Sequence, residues 1–500
     1  MTKIPESFSS LFHHSSLITH HSSLNIGEAF LTSFDPERGL RNLESLLSKF
    51  PDGNQLTPLL LRDPRYLTTL ASLLSGSHYF ASVVLSDPEI LFRLFQEDFL
   101  FQSRSKEEMS SSLSELLRSS EEFERKMAAL RVFRKLEFLR IGLRDLMKEA
   151  PLQETLFDLS HVAEVCLEKS YEFCFEELKL FYGIPQMFGA NGEREECEFA
   201  IFGMGKLGGE ELNFSSDIDL VYLYTSDHGE TTGVRGERGE IVGCVTLSEF
   251  FSKLSQLITR VIGEITPEGQ VFRVDLRLRP GGRFGKIAHS LRACLDYYTN
   301  MTGILERQAL IKAKVVAGSE RLGKAFLDQI RPRIFEKNAL TSIFKEIREA
   351  KEKSDRELIK KGLLEENIKL GPGGIREIEF CIQALQLLHA EEDPLFWESN
   401  SLKALALAQD RGYLSKEECS LLSRAYEFLR DLENKLQMSL FVQTHSLPKE
   451  RKEIGILARK MGYQGENLED LAERLLSDAR TLREEVRKLY EQLFYEKVEG

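Results

Sequence analysis

From about residue 55 to 185, apolar side chains recur three and four positions apart, as at Phe133, Leu136, Leu139 and Leu143, with Arg and Lys filling the other faces. That spacing predicts helices that each bury one stripe. Asp63-Pro64 and Asp87-Pro88 both predict helix starts, an N-cap followed by proline in the first turn. The pattern changes at 198–202, where EFAIF is short and apolar, and at 218–224, where IDLVYLY carries β-branched and aromatic residues. Both read as strands. VFRVDLRL at 271–278 alternates strictly and reads as a third strand, with an amphipathic helix over about 247–263 before it. Beyond 320 the helical period returns almost to the end, interrupted by KLGPGG at 369–374, a glycine-rich turn opening a helix near Ile375.

These elements predict a predominantly helical α+β protein. The expected organisation is a disordered tail over 1–25, an N-terminal helical region over 26–197, a catalytic domain with the strands over 198–320, and a C-terminal helical bundle over 321–500. Residues 226–243, polar and glycine-rich, read either as a mobile flap or as disorder with no role.

A chain of 500 residues with 42% hydrophobic content can bury several cores, and its net charge of −13 supplies no global field that attracts a nucleic-acid backbone. A polynucleotide substrate is therefore not expected. Seven cysteines form no C-x-x-C pair and read as reduced thiols, while no apolar run is long enough to span a bilayer. Cytoplasm is the expected compartment, with no membrane partner. The near-repeat HHSSLIT and HHSSL, starting at His13 and His20, is better read as part of the tail than as a metal site, because no acidic or cysteine ligand accompanies it.

The chemistry concentrates in FGMGKLGGEELNFSSDIDLVYLY, residues 202–224. Gly203, Gly205 and Gly208 match a dinucleotide fingerprint after a strand, but only eight residues separate Gly209 from Ile218. A parallel crossover takes at least about ten. A nicotinamide oxidoreductase is thus disfavoured. Asp217 and Asp219 instead flank one residue at the start of a strand and share a face. Two carboxylates held together call for a cation, and hard oxygen ligands favour Mg²⁺. In VFRVDLRLRP, Asp275, Arg277 and Arg279 fall on one face, an acid among bases that suits a metal–triphosphate site. Gly203, Gly205, Gly208 and Gly209 would let backbone N–H groups approach phosphates, with Lys206 adding charge and Ser215-Ser216 adjoining. The plainer alternative makes Asp217 a strand cap, Asp219 a surface residue and Asp275 a partner of Arg277 or Arg279. Three carboxylates beside a glycine-rich turn favour the catalytic reading.

GMGKLGGEELNFSSDIDL at 203–220, VFRVDLRLRP at 271–280, ERQALIKAKVVAG at 306–318 and KLGPGGIREIEF at 369–380 resemble, in order and separation, the glutamine synthetase adenylyltransferase/adenylyl-removing enzymes. These belong to the DNA polymerase β-like nucleotidyltransferases. The resemblance implies a polymerase β-like core sheet and metal-binding catalytic aspartates at Asp217, Asp219 and Asp275. It also implies an adenine nucleotide, ATP or ADP, as substrate or product, and glutamine synthetase as partner, with a PII-type signalling protein as a further one. Members usually join two similar halves, one transferring AMP to a tyrosine and one removing it by phosphorolysis. This sequence has one copy of each motif, which implies a single half, either standing alone or a fragment, with a separate chain as a candidate carrier of the other half. IKLGPGGIREIEF resembles the removing half, where Arg376 stands in place of an acidic residue. ATP-dependent adenylylation and a non-catalytic binding module are the alternatives.

The turn over 371–374 would expose N–H groups at Gly373 and Gly374 which, with Arg376, suit an attacking phosphate; an ordinary helix start is the competing reading. Glu377 and Glu379 read equally as catalytic or as salt-bridged. Lys312 and Lys314, after Glu306 and Arg307, either reach phosphate or pair along a plain helix.

Overall fold

The computed structural model describes residues 26–50, 56–96, 99–119, 121–189, 192–300, 303–336 and 340–496. The His/Ser repeat lies outside these. The protein is a predominantly helical α+β fold built around one mixed sheet. Strand β3 (Phe199–Met204) is flanked by β10 (Lys314–Gly318) and β4 (Ile218–Tyr224), antiparallel to both. The far side of β4 pairs in parallel with two short strands, β8 (Val274–Asp275) at its start and β9 (Ala288–Ser290) at its end. Because β3 returns to β4 antiparallel through the single-turn helix Gly205–Gly208, the connection is not the parallel crossover of a dinucleotide fold.

Alternation along the strands divides two cores. Phe199, Ile201, Leu220, Tyr222 and Tyr224 pack against the N-terminal helices, including Leu152–Tyr182, and against Leu247–Gly263. Ala200, Phe202, Met204, Val221 and Leu223 share the other core with the C-terminal helices. Asp219 falls on this second face, in step with Val221 and Leu223, so it points to where the sheet end meets the C-terminal bundle.

Several expectations are met closely. Asp63 caps helix Pro64–Gly76, accepting the Arg65 N–H at 2.8 Å, and helices begin at Leu247 and Ile375. Others differ. Asp87 ends the helix His78–Ser86, and the next one, Ile90–Leu94, has no side-chain cap. VFRVDLRL pairs as a strand only at Val274–Asp275, because the Asp275 carboxylate accepts the Arg277 N–H at 2.8 Å and turns the chain. Arg279 therefore leaves the face of Asp275. Residues 226–243 are ordered: β5 (Gly229–Thr231) joins a small sheet with β1 (Pro185–Phe188) and β2 (Arg194–Glu196), and β6 (Val234–Arg235) pairs with β7 (Ile241–Val242). The strands at 185–196 were not anticipated; they are short, and all three residues of Arg194–Glu196 are charged and exposed, so no apolar alternation marks that strand.

Candidate functional site

The segment from Gly205 to Asp219 closes one end of the sheet, and its shape is fixed by buried side chains of the helix Lys416–Leu440. Arg430, Glu433, Asn434 and Gln437, all inaccessible to solvent, form a polar stripe one helical turn apart. Arg430 donates to the Glu211 carbonyl and to Asn213 Oδ1, and Asn213 Nδ2 donates to Glu433 at 2.5 Å. Asn434 and Gln437 accept the N–H groups of Phe214 and Ser215 at 3.4 and 3.2 Å. A buried loop leaves backbone donors without water, and these side chains replace it.

That loop delivers Asp217 and Asp219 to the wall of a cleft of about 580 Å³. Asp219 stands opposite Asp275 in the parallel ladder, so the three carboxylates share one wall. Burial first, then the charges of Asp275 and Asp217, push the Asp219 carboxyl up to about 7. The other two acids have arginine partners: Arg273 Nε reaches Asp217 Oδ1 at 2.6 Å, and Arg277 Nε reaches Asp275 Oδ2 at 2.6 Å. Burial raises Asp275, but the Arg277 hydrogen bonds outweigh it and bring the carboxyl below its ordinary value. Among the described residues no set of three or more His, Cys, Asp or Glu groups is gathered closely enough to hold a metal ion as it stands.

Bases face the acids. Lys353, Lys369 and Arg376 line the cleft, and among the described residues none of their side chains makes an ion pair. Arg376 rests over the Phe380 ring at 5.6 Å. Gln308, Gln383 and Gln443 add neutral polar groups. Lys312 and Glu379 form the floor: Lys312 Nζ lies 2.5 Å from Glu211 and 3.5 Å from Glu379. Burial lowers the Lys312 pKa, but the two carboxylates outweigh it and raise it, so the ammonium is committed to them. Lys314 pairs with Glu164 and Glu210, away from the cleft, while Arg307 is buried and donates to the Ile334 and Glu336 carbonyls. Glu306 accepts from Tyr297. The partners named come from other elements, not from i,i+4 positions along one helix.

The glycines divide by cause. Gly205 lines the cleft with φ +54°, and a Cβ there would come within 3.2 Å of Asp219 Oδ2. Gly203 and Gly208 are needed for packing: a Cβ on Gly208 would sit 1.6 Å from the Lys312 carbonyl oxygen. Gly209 abuts Ser399. Lys206 reaches the cleft but is paired with Glu433 at 2.8 Å. Ser216 lines the cleft, whereas Ser215 is buried behind it and Arg279 ties the loop 276–286 by donating to the Leu276, Gly285 and Lys286 carbonyls. Gly373 and Gly374 stay outside, Gly373 closed against the Arg483 backbone and Gly374 against the Ile368, Lys369 and Gly371 carbonyls. The Gly373 N–H donates to Glu377 Oε2 at 2.8 Å, and those of Gly374, Ile375 and Arg376 to Gly371, Ile368 and Lys369. The expected anion cradle is therefore already occupied by the chain itself. Glu377 is fully buried between Lys351 and Arg487, a structural salt bridge.

Lys353, Lys369 and the Lys416–Leu440 stripe were not singled out from the sequence. Lys369 sits inside KLGPGG and could have been noticed there; RDLENKLQM reads as an ordinary solvated helix.

Residues 67–329, just over half of the chain, match the family model described as glutamate-ammonia ligase adenylyltransferase, and residues 341–494 match that described as GlnD PII-uridylyltransferase. The chain is 35% identical over 394 residues to the bifunctional glutamine synthetase adenylyltransferase/adenylyl-removing enzyme of Thioalkalivibrio sulfidiphilus, covering 79% of this chain and 39% of that protein. Its likeness to the same-named protein of Pseudomonas aeruginosa is 35% over 389 residues, 78% and 38% of the two chains. For that of Nitrosococcus oceani it is 35% over 431 residues, 86% and 42%. The chain thus spans about two fifths of the length of these relatives, and it belongs to the glutamate-ammonia ligase adenylyltransferase family.

Proposed function

We propose that this chain is a nucleotidyltransferase half that removes AMP from a tyrosine of glutamine synthetase by phosphorolysis. The observation that carries the reading is the cleft itself, three aspartates on one wall with Lys369 and Arg376, which make no ion pair among the described residues, on the other. The mixed sheet with acids at one strand end supports a polymerase β-like core. Asp219 supports a divalent ion, because it is a buried carboxyl beside two other carboxylates and, among the described residues, no base bonds to it. Asp217, Asp219 and Asp275 are the groups that would hold Mg²⁺, which when bound neutralises the α-phosphoryl group and steadies the departing tyrosine oxygen.

Lys369 and Arg376 hold inorganic phosphate across from the acids, and the guanidinium of Arg376 accommodates two of its oxygens. A phosphate oxygen attacks the α-phosphorus, the bond to the tyrosine oxygen breaks, and ADP and the free tyrosine result, the phenolate taking up one proton. Lys312, committed to Glu211 and Glu379, shapes the floor without touching the reacting atoms. A PII-type signalling protein and a separate chain with the other half are further proposed partners, in the cytoplasm; no described helix is long and apolar enough to cross a membrane.

The test is product analysis with AMP-modified glutamine synthetase plus phosphate, and with unmodified enzyme plus ATP. Asp217→Asn/Asp219→Asn serves as the control. ADP released from the modified substrate supports removal; AMP incorporation from ATP supports adenylylation instead. No difference from the control in either sinks the catalytic reading and favours a binding module.

A further inference from the structure

Behind the loop that carries Asp217 lies a second cavity, of about 380 Å³, that the reaction above does not use. Arg134, 4% exposed, lies in its wall. A buried guanidinium is costly unless a carboxylate or full set of acceptors compensates it. Among the described residues no acid pairs with Arg134. Its one side-chain hydrogen bond is from Nη1 to the Tyr79 hydroxyl at 2.5 Å, and its Nε has no partner.

The surroundings are aromatic. The guanidinium lies over Phe138 at 3.9 Å and Phe441 at 4.5 Å, and Phe441 stacks on Tyr79 with centroids 4.0 Å apart. Phe441 holds that place in a left-handed backbone conformation, φ +57°, which is unfavourable for a bulky residue and is maintained only where surrounding contacts impose it. Phe214 and Phe272 complete apolar walls, and the exposed Ser82 and Ser86 stand at the rim. Polar anchoring groups in an otherwise aromatic cavity are how small-molecule sites fix orientation.

We infer that this cavity is a second ligand site, for a small aromatic oxyanion whose carboxylate or phosphoryl group meets Arg134 while its ring lies among Tyr79, Phe272 and Phe441. Arg273 lines the same cavity while holding Asp217, and Ser216 lines both cavity and cleft. Occupancy here therefore acts on the shared wall of the nucleotide site.

Benzoate and phenyl phosphate, with benzyl alcohol as the neutral control, are titrated into the full chain by calorimetry and thermal shift. Either anion is expected to bind and raise Tm where benzyl alcohol does not, and the stronger of the two identifies the oxyanion. Arg134→Met weakens binding at least ~10-fold. Ser86→Trp, at an exposed rim position, blocks the cavity without disturbing Arg134 and has the same effect. Asp219→Asn leaves binding unchanged. Absence of binding to the wild type overturns the inference, as does binding that survives Ser86→Trp; in either case Arg134 serves only to brace the aromatic cluster.

Discussion

Asp219 and Asp275 face each other across a parallel ladder, in register, Asp219 near the start of its strand and Asp275 at the end of its own. Among the described residues no base bonds to Asp219, while Asp275 is held by Arg277. Replacing Asp219 by Asn removes a ligand and also the repulsion. Turnover should fall about 100-fold or more. Without divalent ions, Tm should stay level or rise. A fall in Tm matching the loss of turnover would make Asp219 a structural residue instead.

Lys312 and Glu211 form a buried pair 2.5 Å apart, with side-chain exposures of 8% and 2%. Removing one partner strands the other charge, so Lys312→Ala should cost roughly 3–5 kcal/mol. Lys312→Met combined with Glu211→Leu should cost clearly less than the sum of the two single changes. Additive costs in a double-mutant cycle by urea unfolding would show that the pair is not coupled.

Lys460 is buried and, among the described residues, has no carboxylate on its ammonium, which donates to Ser439 Oγ at 2.7 Å. Burial, then the charge of Arg38, pull its pKa down to about 7. The unfolded lysine titrates near 10.4, so between these values the unfolded chain binds the extra proton and stability rises with pH. Lys460→Met should therefore stabilise the protein at neutral pH by about 2–4 kcal/mol, with the gain vanishing towards about pH 10. A pH-independent gain would point to packing alone.

Gly208 packs directly on the backbone of Lys312, where a Cβ would lie 1.6 Å from the carbonyl oxygen. Gly208→Ala should cost more than about 3 kcal/mol, because neither backbone can move without breaking the β3–β10 junction. Gly412→Ala, in open space but at φ +73°, should cost only about 1 kcal/mol. Equal costs in thermal unfolding would refute the close-approach argument.

Local signals made part of this site legible. Asp217 and Asp219 stand out because a strand's period of two puts both on one side, and IDLVYLY declares the strand. Arg279 and Gly374 were misplaced for a local reason too: alternation in VFRVDLRLRP continues after the Asp275 turn has ended the strand, and the glycine turn bonds to itself. What could not be read was tertiary. Glu433 contacts Asn213 from 220 positions away, and Lys369 faces Asp219 only because the bundle folds over the sheet. A charged helix that will be buried carries the same letters as one that stays in water until its partners are known.

The amide groups of Phe214 and Ser215 end on Asn434 and Gln437, so the loop bearing two of the three acids has its form written by a helix near the other end of the chain. Heat or denaturant that loosens Lys416–Leu440 will therefore dissolve the acidic wall at the same moment. The two should vanish in one transition.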